Sequence, residues 1–356
     1  MRLVSPLLKR AVYPALHYSG VLGRITPAGG YAVVNYHGVV PADHLDGDGF
    51  LDGNLVRPEM FRRQIQFLKA HYQVVHPEDF RAWIEQGRRL PPRAILLTCD
   101  DGLLNGLTDM VPVLRSEGVS CLFFVTAASC NDSPCHESQC HESRGMLWYE
   151  ELYLLMRSRP LSATELQLLP EEEAESPAPE SFQARWWNTV KRASRLEARL
   201  RAEWMERLRS QRGPAEQSIS ARRWRFMNVA ELKELAGHGM SIGAHTRTHP
   251  ILSLCNEEEA RREIQDGKND LERALGMPIW AFAYPFGNQA TMGEREVGLA
   301  REAGFTCAFL NVEHRDDGSA NPFELCRMHV TLDMTLPEFS AHVSGVHARL
   351  QHAIGG

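Results

Sequence analysis

The chain has few long apolar runs, few cysteines and no excess of positive charge, and each shortage excludes a class of protein. Behind Arg2, Lys9 and Arg10 the uncharged stretch spans only Ala11 to Gly23 and is interrupted by Pro14, His17 and Gly20. That is too short and too broken for a membrane-spanning helix, and no cleavage site of the secretory kind follows it. Two readings of this leader stay open: a basic segment resting peripherally on a membrane surface, or a helix packed on its own domain. Eight cysteines in 356 residues are far below a disulfide scaffold, and Cys99 and Cys121 lie inside apolar strand-like runs. A reducing, cytoplasmic compartment is therefore expected, with the inner-membrane surface as the alternative that the leader allows. A net charge of -6 and a pI near 6.2 give no global reason to expect a nucleic-acid partner.

What is present is a large apolar fraction, 43% of residues, arranged as short apolar runs alternating with amphipathic helical stretches. This is the pattern of repeated β-α units. "YAVVNY" (31–36), "YQVV" (72–75), "AILLT" (94–98), "SCLFFVTA" (120–127), "MSIGA" (240–244), "IWAFAY" (279–284), "FTCAFL" (305–310) and "ELCRMHV" (324–330) read as strands. Pro58 and Pro77 open helices as first-turn prolines, Asn256 and Glu259 form a capping box, and Gly276 closes the helix that follows. The expected architecture is α/β, a closed or nearly closed β/α barrel whose active site gathers at the C-terminal strand ends.

The rhythm breaks over 131–225. "LPEEEAESPAPES" (169–181) reads as an acidic, proline-rich surface loop. After it, Trp186, Val190, Ala193, Leu200 and Trp204 are spaced to share one face of a long helix. Between Arg185 and Arg225 there are 12 Lys/Arg against 4 Glu, an excess of 12 − 4 = 8 positive charges. A solvated face is the expected use of that excess, ahead of contact with anionic lipid or a phosphorylated carrier. The organisation is then an amphipathic segment at 1–30, a barrel over 31–345 with the loop and helical insertion at 131–225, and a tail at 346–356.

Candidate chemistry clusters at the strand ends. "TCDDG" places Asp100 and Asp101 side by side directly after an apolar strand, where repulsion and desolvation oppose two carboxylates unless a cation sits with them. "HTRTHP" places His245 at the next such end and His249 four residues on. Pro250 disfavours an α conformation at His249, so the pair spans a strand end and a tight turn. Two imidazoles and one carboxylate make a three-ligand site for a divalent ion of the zinc type, with a position left for water or substrate. In "AYPFG", Pro285 and Gly287 make a sharp turn that can aim the Phe286 backbone N–H into the barrel mouth as an oxyanion donor. His37 in "NYHGVV" is again the first polar residue beyond a strand. Cys130, Cys135 and Cys140, five apart with His136 and His141, lack the C-x2-C spacing of a zinc module and read as loop thiols.

Taken in order, these segments resemble the polysaccharide deacetylases, the NodB-homology group of carbohydrate esterase family 4. "TCDDG" is similar to that family's T-F-D-D-G motif, "HTRTHP" to its H-[ST]-x-x-H-P motif and "YPFG" to its P-Y-G turn, over roughly 31–130 and 225–335. The resemblance implies a distorted (β/α)7 barrel, here with a helical insertion. It implies zinc-dependent hydrolysis of an N-acetyl group on a glycan or a lipid-linked sugar. It further implies Asp100 as general base and Asp101, His245 and His249 as metal ligands. Members tied to exopolysaccharide production are circularly permuted and carry the acid histidine in a Tyr-His segment on the N-terminal strand. Tyr36-His37 matches, which favours His37 over His329 in "CRMHV". The family's Asp-x-x-Asp-Trp segment is not found, nor is the arginine that usually precedes its Pro-Tyr-Gly turn. Arg327 is the candidate to supply positive charge beside Asp100, with a structural arginine as the other reading. A catalytically silent, carbohydrate-binding relative and a hydrolase of small amides are the alternatives.

Overall fold

The computed structural model describes residues 6–27, 30–44, 48–127, 146–171, 181–213, 221–313 and 321–355. Eight strands form one sheet: β1 (Tyr31–Tyr36), β2 (Gln73–Val74), β3 (Ala94–Cys99), β4 (Leu122–Val125), β5 (Ser241–Ala244), β6 (Ala281–Ala283), β7 (Cys307–Phe309) and β8 (Met328–His329). Their order is β7-β6-β5-β4-β3-β1-β8, and every pairing is parallel. Strand β1 runs along β3 for its full length, so the short β2 takes the start of the other edge of β3 and β4 takes its end. The ring closes without a regular ladder between β7 and β8: Phe309 bridges Leu325, and Leu310 N–H donates to Leu325 O at 2.8 Å on the approach to β8. This is the expected distorted (β/α)7 barrel, with β2 outside the ring.

Side-chain alternation assigns the two faces. Tyr31 and Val33, Ala94 and Leu96, Leu122 and Phe124, Ala281 and Ala283, and Cys307 and Phe309 form one buried cluster that fills the barrel. The residues between them, among them Val34, Ile95, Leu97, Phe123, Phe282 and Ala308, pack outward against helix residues such as Phe61, Ile65 and Leu68. Strands covered on both faces can be apolar throughout, which is why β3 is buried at every position. Continuing the inward parity carries Asn35, His37, Thr98, Asp100, His245, Asn311, Arg327 and His329 into the barrel or its mouth. Because all strands are parallel, the residues that follow them meet at one end.

The helices Pro58–His71 and Pro77–Gln86 open on proline as expected, and Gly276 ends its helix at φ +70°. The capping box at Asn256 is half formed. Asn256 Oδ1 accepts from Glu259 N–H, but Glu259 Oε1 accepts from Ala198 N–H instead of returning to the cap. That contact explains a second difference. The single long helix expected through Trp186 and Trp204 is two, Phe182–Ala193 and Ala198–Arg212, the second capped by Glu259 from across the fold. Trp186, Val190, Ala193 and Trp204 are buried in a second core cluster that also takes in Leu51 and Ile251, whereas Leu200 is exposed.

Part of the basic excess of this region is turned inward, so the expectation of a solvated face holds only for residues such as Arg185, Arg199 and Arg207. Arg209 pairs with Glu151 through Nε–Oε1 at 2.6 Å and Nη2–Oε2 at 2.7 Å, Arg212 with Glu165 at 2.7 Å, and Arg223 with Asp52 at 2.7 Å. Acidic partners supplied from outside the count of 185–225 make the local charge excess a poor guide to the surface. Among the described residues, no helix is long and apolar enough to cross a membrane. In the leader, Leu8, Tyr13 and Leu22 bury against Ala341 of the helix Leu336–Val343, and residues Val346–Gly355 form a further helix. Cys130, Cys135, Cys140, His136 and His141 lie outside the described residues, as does most of the acidic loop.

Candidate active site

The backbone separates the two aspartates. Asp100 continues the β3 ladder, its N–H donating to Tyr36 O at 2.9 Å, and its side chain keeps the inward parity. Asp101 and Gly102 then adopt left-handed conformations, at φ +74° and +76°, so the second carboxylate leaves the strand in a new direction. Only glycine fits after it: a Cβ at Gly102 would stand 2.8 Å from Val125 Cγ1. Among the described residues five non-glycine positions have positive φ, and Asp101, Thr246, His249 and Phe286 are four of them. Strain of that kind persists where surrounding structure holds a site in place. Gly102→Ala is expected to lower the melting temperature and to cut the metal affinity of the site by at least tenfold, measured by zinc titration, because relief of the clash displaces Asp101.

Asp101 meets His245 and His249. The Asp101 Oδ1 lies 3.6 Å from His245 Nε2 and 3.4 Å from His249 Nε2, and all three side chains are buried. Asp101 Oδ1 has no hydrogen-bond partner among the described residues. Tetrahedral zinc with bonds of about 2.0–2.1 Å needs donors roughly 3.3–3.4 Å apart, close to the two distances found. His245 Nδ1 lies 2.7 Å from Ala283 O, and since a carbonyl only accepts, Nε2 is left with its lone pair toward Asp101. Burial pushes the His245 imidazole down to about 4, which keeps it neutral as a ligand must be. Burial alone would raise the Asp101 carboxyl, but His249, His37 and His245 hold it below its ordinary value. His249 is fixed by Thr246 Oγ1, which accepts its N–H, and by Trp148, whose indole donates to its carbonyl. The donor set and spacing fit a divalent ion of the zinc type.

Asp100 faces the other way, onto Arg327. The guanidinium donates from Nη1 to Oδ1 at 2.6 Å and from Nη2 to Oδ2 at 2.8 Å, a bidentate pair with both side chains buried. Asn35 Nδ2 also donates to Asp100 Oδ2 at 2.9 Å, while Asn35 Oδ1 accepts from Arg327 Nη1 at 3.0 Å. Burial disfavours the Asp100 carboxylate, but Arg327, then His245 and His37, outweigh it and hold the carboxyl well below the usual range.

Residues 208–308 match the family model of polysaccharide deacetylases, a span that carries His245, His249 and the Tyr284–Gly287 turn. Over that span the chain is similar to the polysaccharide deacetylases. No curated protein matches it in sequence. Among solved structures it is similar to the Streptococcus pyogenes deacetylase PplD in complex with acetate, at 16% identity and a TM-score of 0.54 over 90% of this chain and 99% of that one. IcaB from Ammonifex degensii is similar at 17% identity, with a TM-score of 0.54 and coverage of 90% and 99%. A de-N-acetylase from Aggregatibacter actinomycetemcomitans follows at 12% identity, TM-score 0.53, covering 88% and 99%. At these identities the likeness concerns the fold.

A cleft of roughly 330 Å³ opens over the site, lined by Asp100, His37, His329, Asn311, His245, His249 and Phe286 among others. His37 Nε2 lies 3.8 Å from Asp100 Oδ2, and the His37 and His329 rings are 4.7 Å apart between centroids. His329 Nδ1 is engaged with Asn311 Nδ2 at 3.0 Å, and burial, then His37, push its imidazole down to about 3. Phe286 stands at φ +60°, and among the described residues its N–H has no backbone acceptor. Its ring lies 5.0 Å from that of His249 and 5.4 Å from Tyr149 and Trp187, centroid to centroid.

Three contributions to the cleft were missed in the sequence. Asn35 and Asn311 sit at inward strand positions, a signal that parity alone carries. Tyr149, Trp186 and Trp187 come from the insertion and form an aromatic wall. Glu150, beside them, has burial pushing its carboxyl up to about 7 despite Arg223 at 3.3 Å, and its Oε2 has no partner among the described residues.

Proposed function

We propose that the protein removes N-acetyl groups from amino sugars of a polysaccharide or its lipid-linked precursor, in a reaction that depends on a zinc-type ion. The observation that carries this reading is the division of the two aspartates, one joined to two histidines and the other clamped in its charged form by a buried arginine. Asp101, His245 and His249 would hold the ion, which when bound supplies Lewis acidity toward the amide carbonyl and makes water more acidic. Asp100 takes the proton of the attacking water at a carboxylate that Arg327 keeps ionised at neutral pH. The Phe286 N–H donates to the oxygen that gains negative charge, a contribution worth about 3 kcal/mol in comparable sites. As the C–N bond breaks, the amine needs a proton, and His37 supplies it. His329 is the weaker candidate because its imidazole resists protonation and Nδ1 is tied to Asn311. The aromatic wall of Tyr149 and Trp187 offers apolar faces of the kind that pack on pyranose rings.

The test is acetate release by the purified chain from N-acetylglucosamine oligomers and, separately, from a lipid-linked N-acetylated sugar. Release from at least one, lost on chelation and restored by zinc, is expected. Zinc-loaded protein that frees no acetate from either substrate would overturn the proposal.

A further inference from the structure

A second group of metal-competent side chains lies away from the cleft, where the leader meets the last two helices. Glu313, His342 and His347 each offer one ligand atom within 4.8 Å of the others. His342 Nδ1 lies 2.6 Å from Glu313 Oε2, so the imidazole donates there and its Nε2 keeps a lone pair. That Nε2 is buried and has no partner among the described residues, in a side chain only 8% exposed. The same is true of a carboxylate one turn earlier: Glu338 Oε1 takes Lys9 Nζ at 2.8 Å, whereas Oε2 is buried without a partner, the side chain 4% exposed. At i and i+4 on Leu336–Val343, Glu338 and His342 share a helix face. The His342 and His347 rings stack 3.8 Å apart, and His347 Nδ1 holds the Tyr13 hydroxyl of the leader at 2.7 Å.

A buried acceptor left unmatched costs about 1–3 kcal/mol, and here one belongs to the metal-competent group and a second, on Glu338, lies one turn along the same helix. Among the described residues Lys9 is the lysine paired with this group, and the group is rich in nitrogen and oxygen donors. Such a donor set suits zinc and its neighbours better than the hard cations calcium or magnesium.

We propose that His342 and His347, with the carboxylate Glu313, hold a second zinc-type ion that fastens the leader helix to the carboxyl-terminal helices. None of these residues lines the cleft, so the site is structural and independent of the hydrolytic reading. The test counts zinc in the full chain after equilibration with excess zinc and removal of the unbound ion. In a His245→Ala/His249→Ala background, about one ion per chain should remain and be lost when His342→Ala or His347→Gln is added. With the first site intact, His342→Ala should keep acetate release unchanged, while the melting temperature falls and its zinc-dependent rise shrinks. Using two separate replacements guards against one that simply fails to fold. Zinc content that is the same with and without both histidines would overturn the proposal, including the case in which another group of the chain binds the residual ion.

Discussion

Replacing Asp100 by Asn should lower kcat for acetate release by about 10²–10⁴-fold while the chain keeps its zinc. The two halves of that result have separate causes. Asparagine has nearly the size of aspartate but cannot accept a proton, so the step assigned to Asp100 is lost without opening a cavity. Metal content is expected to hold because Asp101, His245 and His249 form their cluster on the far side of the left-handed turn at Asp101 and Gly102. A variant that keeps full activity would remove Asp100 from its role. One that loses zinc along with activity would show that the aspartates are not functionally separable in the way their directions indicate. Some loss of stability should accompany the substitution, since Arg327 keeps one acceptor of the former pair and a buried guanidinium with one anionic partner fewer.

The fold was legible because the strands of a closed parallel barrel are buried on both faces, and runs such as "YAVVNY" and "AILLTC" have few other uses. The strand ends were legible for a related reason: a polar residue just past an apolar strand stands out, and His37, Asp100, Asp101 and His245 all do. Position within the strand was the neglected signal. Asn35 lies one step inside its strand, where inward parity places it beside Asp100, next to the Arg327 that the sequence did offer as its charge partner. The insertion was the least legible. Its helix break at Ser194–Glu197 follows from Glu259 capping Ala198, and its arginines are spent on Glu151, Glu165 and Asp52, contacts between parts of the chain that no local pattern records. The aromatic wall depends on the same long-range packing.

Removing the charge of Arg327, as in Arg327→Met, should destabilise the fold by about 3–5 kcal/mol at neutral pH, since a buried carboxylate is left without its counter-charge. The pH dependence gives the cause. In the native protein the Asp100 carboxyl is depressed below the unfolded value of about 3.9, so the pair's contribution is complete above that value and is lost as pH falls through the native one. In the variant burial acts unopposed by the guanidinium, the carboxyl rises, and protonation relieves it. The stability gap between the two proteins, measured by denaturant titration at successive pH values, should therefore begin to narrow above about pH 4, where the variant's raised carboxyl protonates, and go on narrowing as pH falls toward the depressed native value. Activity should respond in the same sense, its acidic limb moving to higher pH. Adding Asp100→Asn to Arg327→Met removes the uncompensated charge altogether and is expected to recover part of the stability but none of the activity. A double variant no more stable than Arg327→Met would mean that the arginine acts through packing on Phe124 and Phe309, whose rings lie 5.3 and 5.9 Å from its guanidinium carbon, and not through the charge of Asp100.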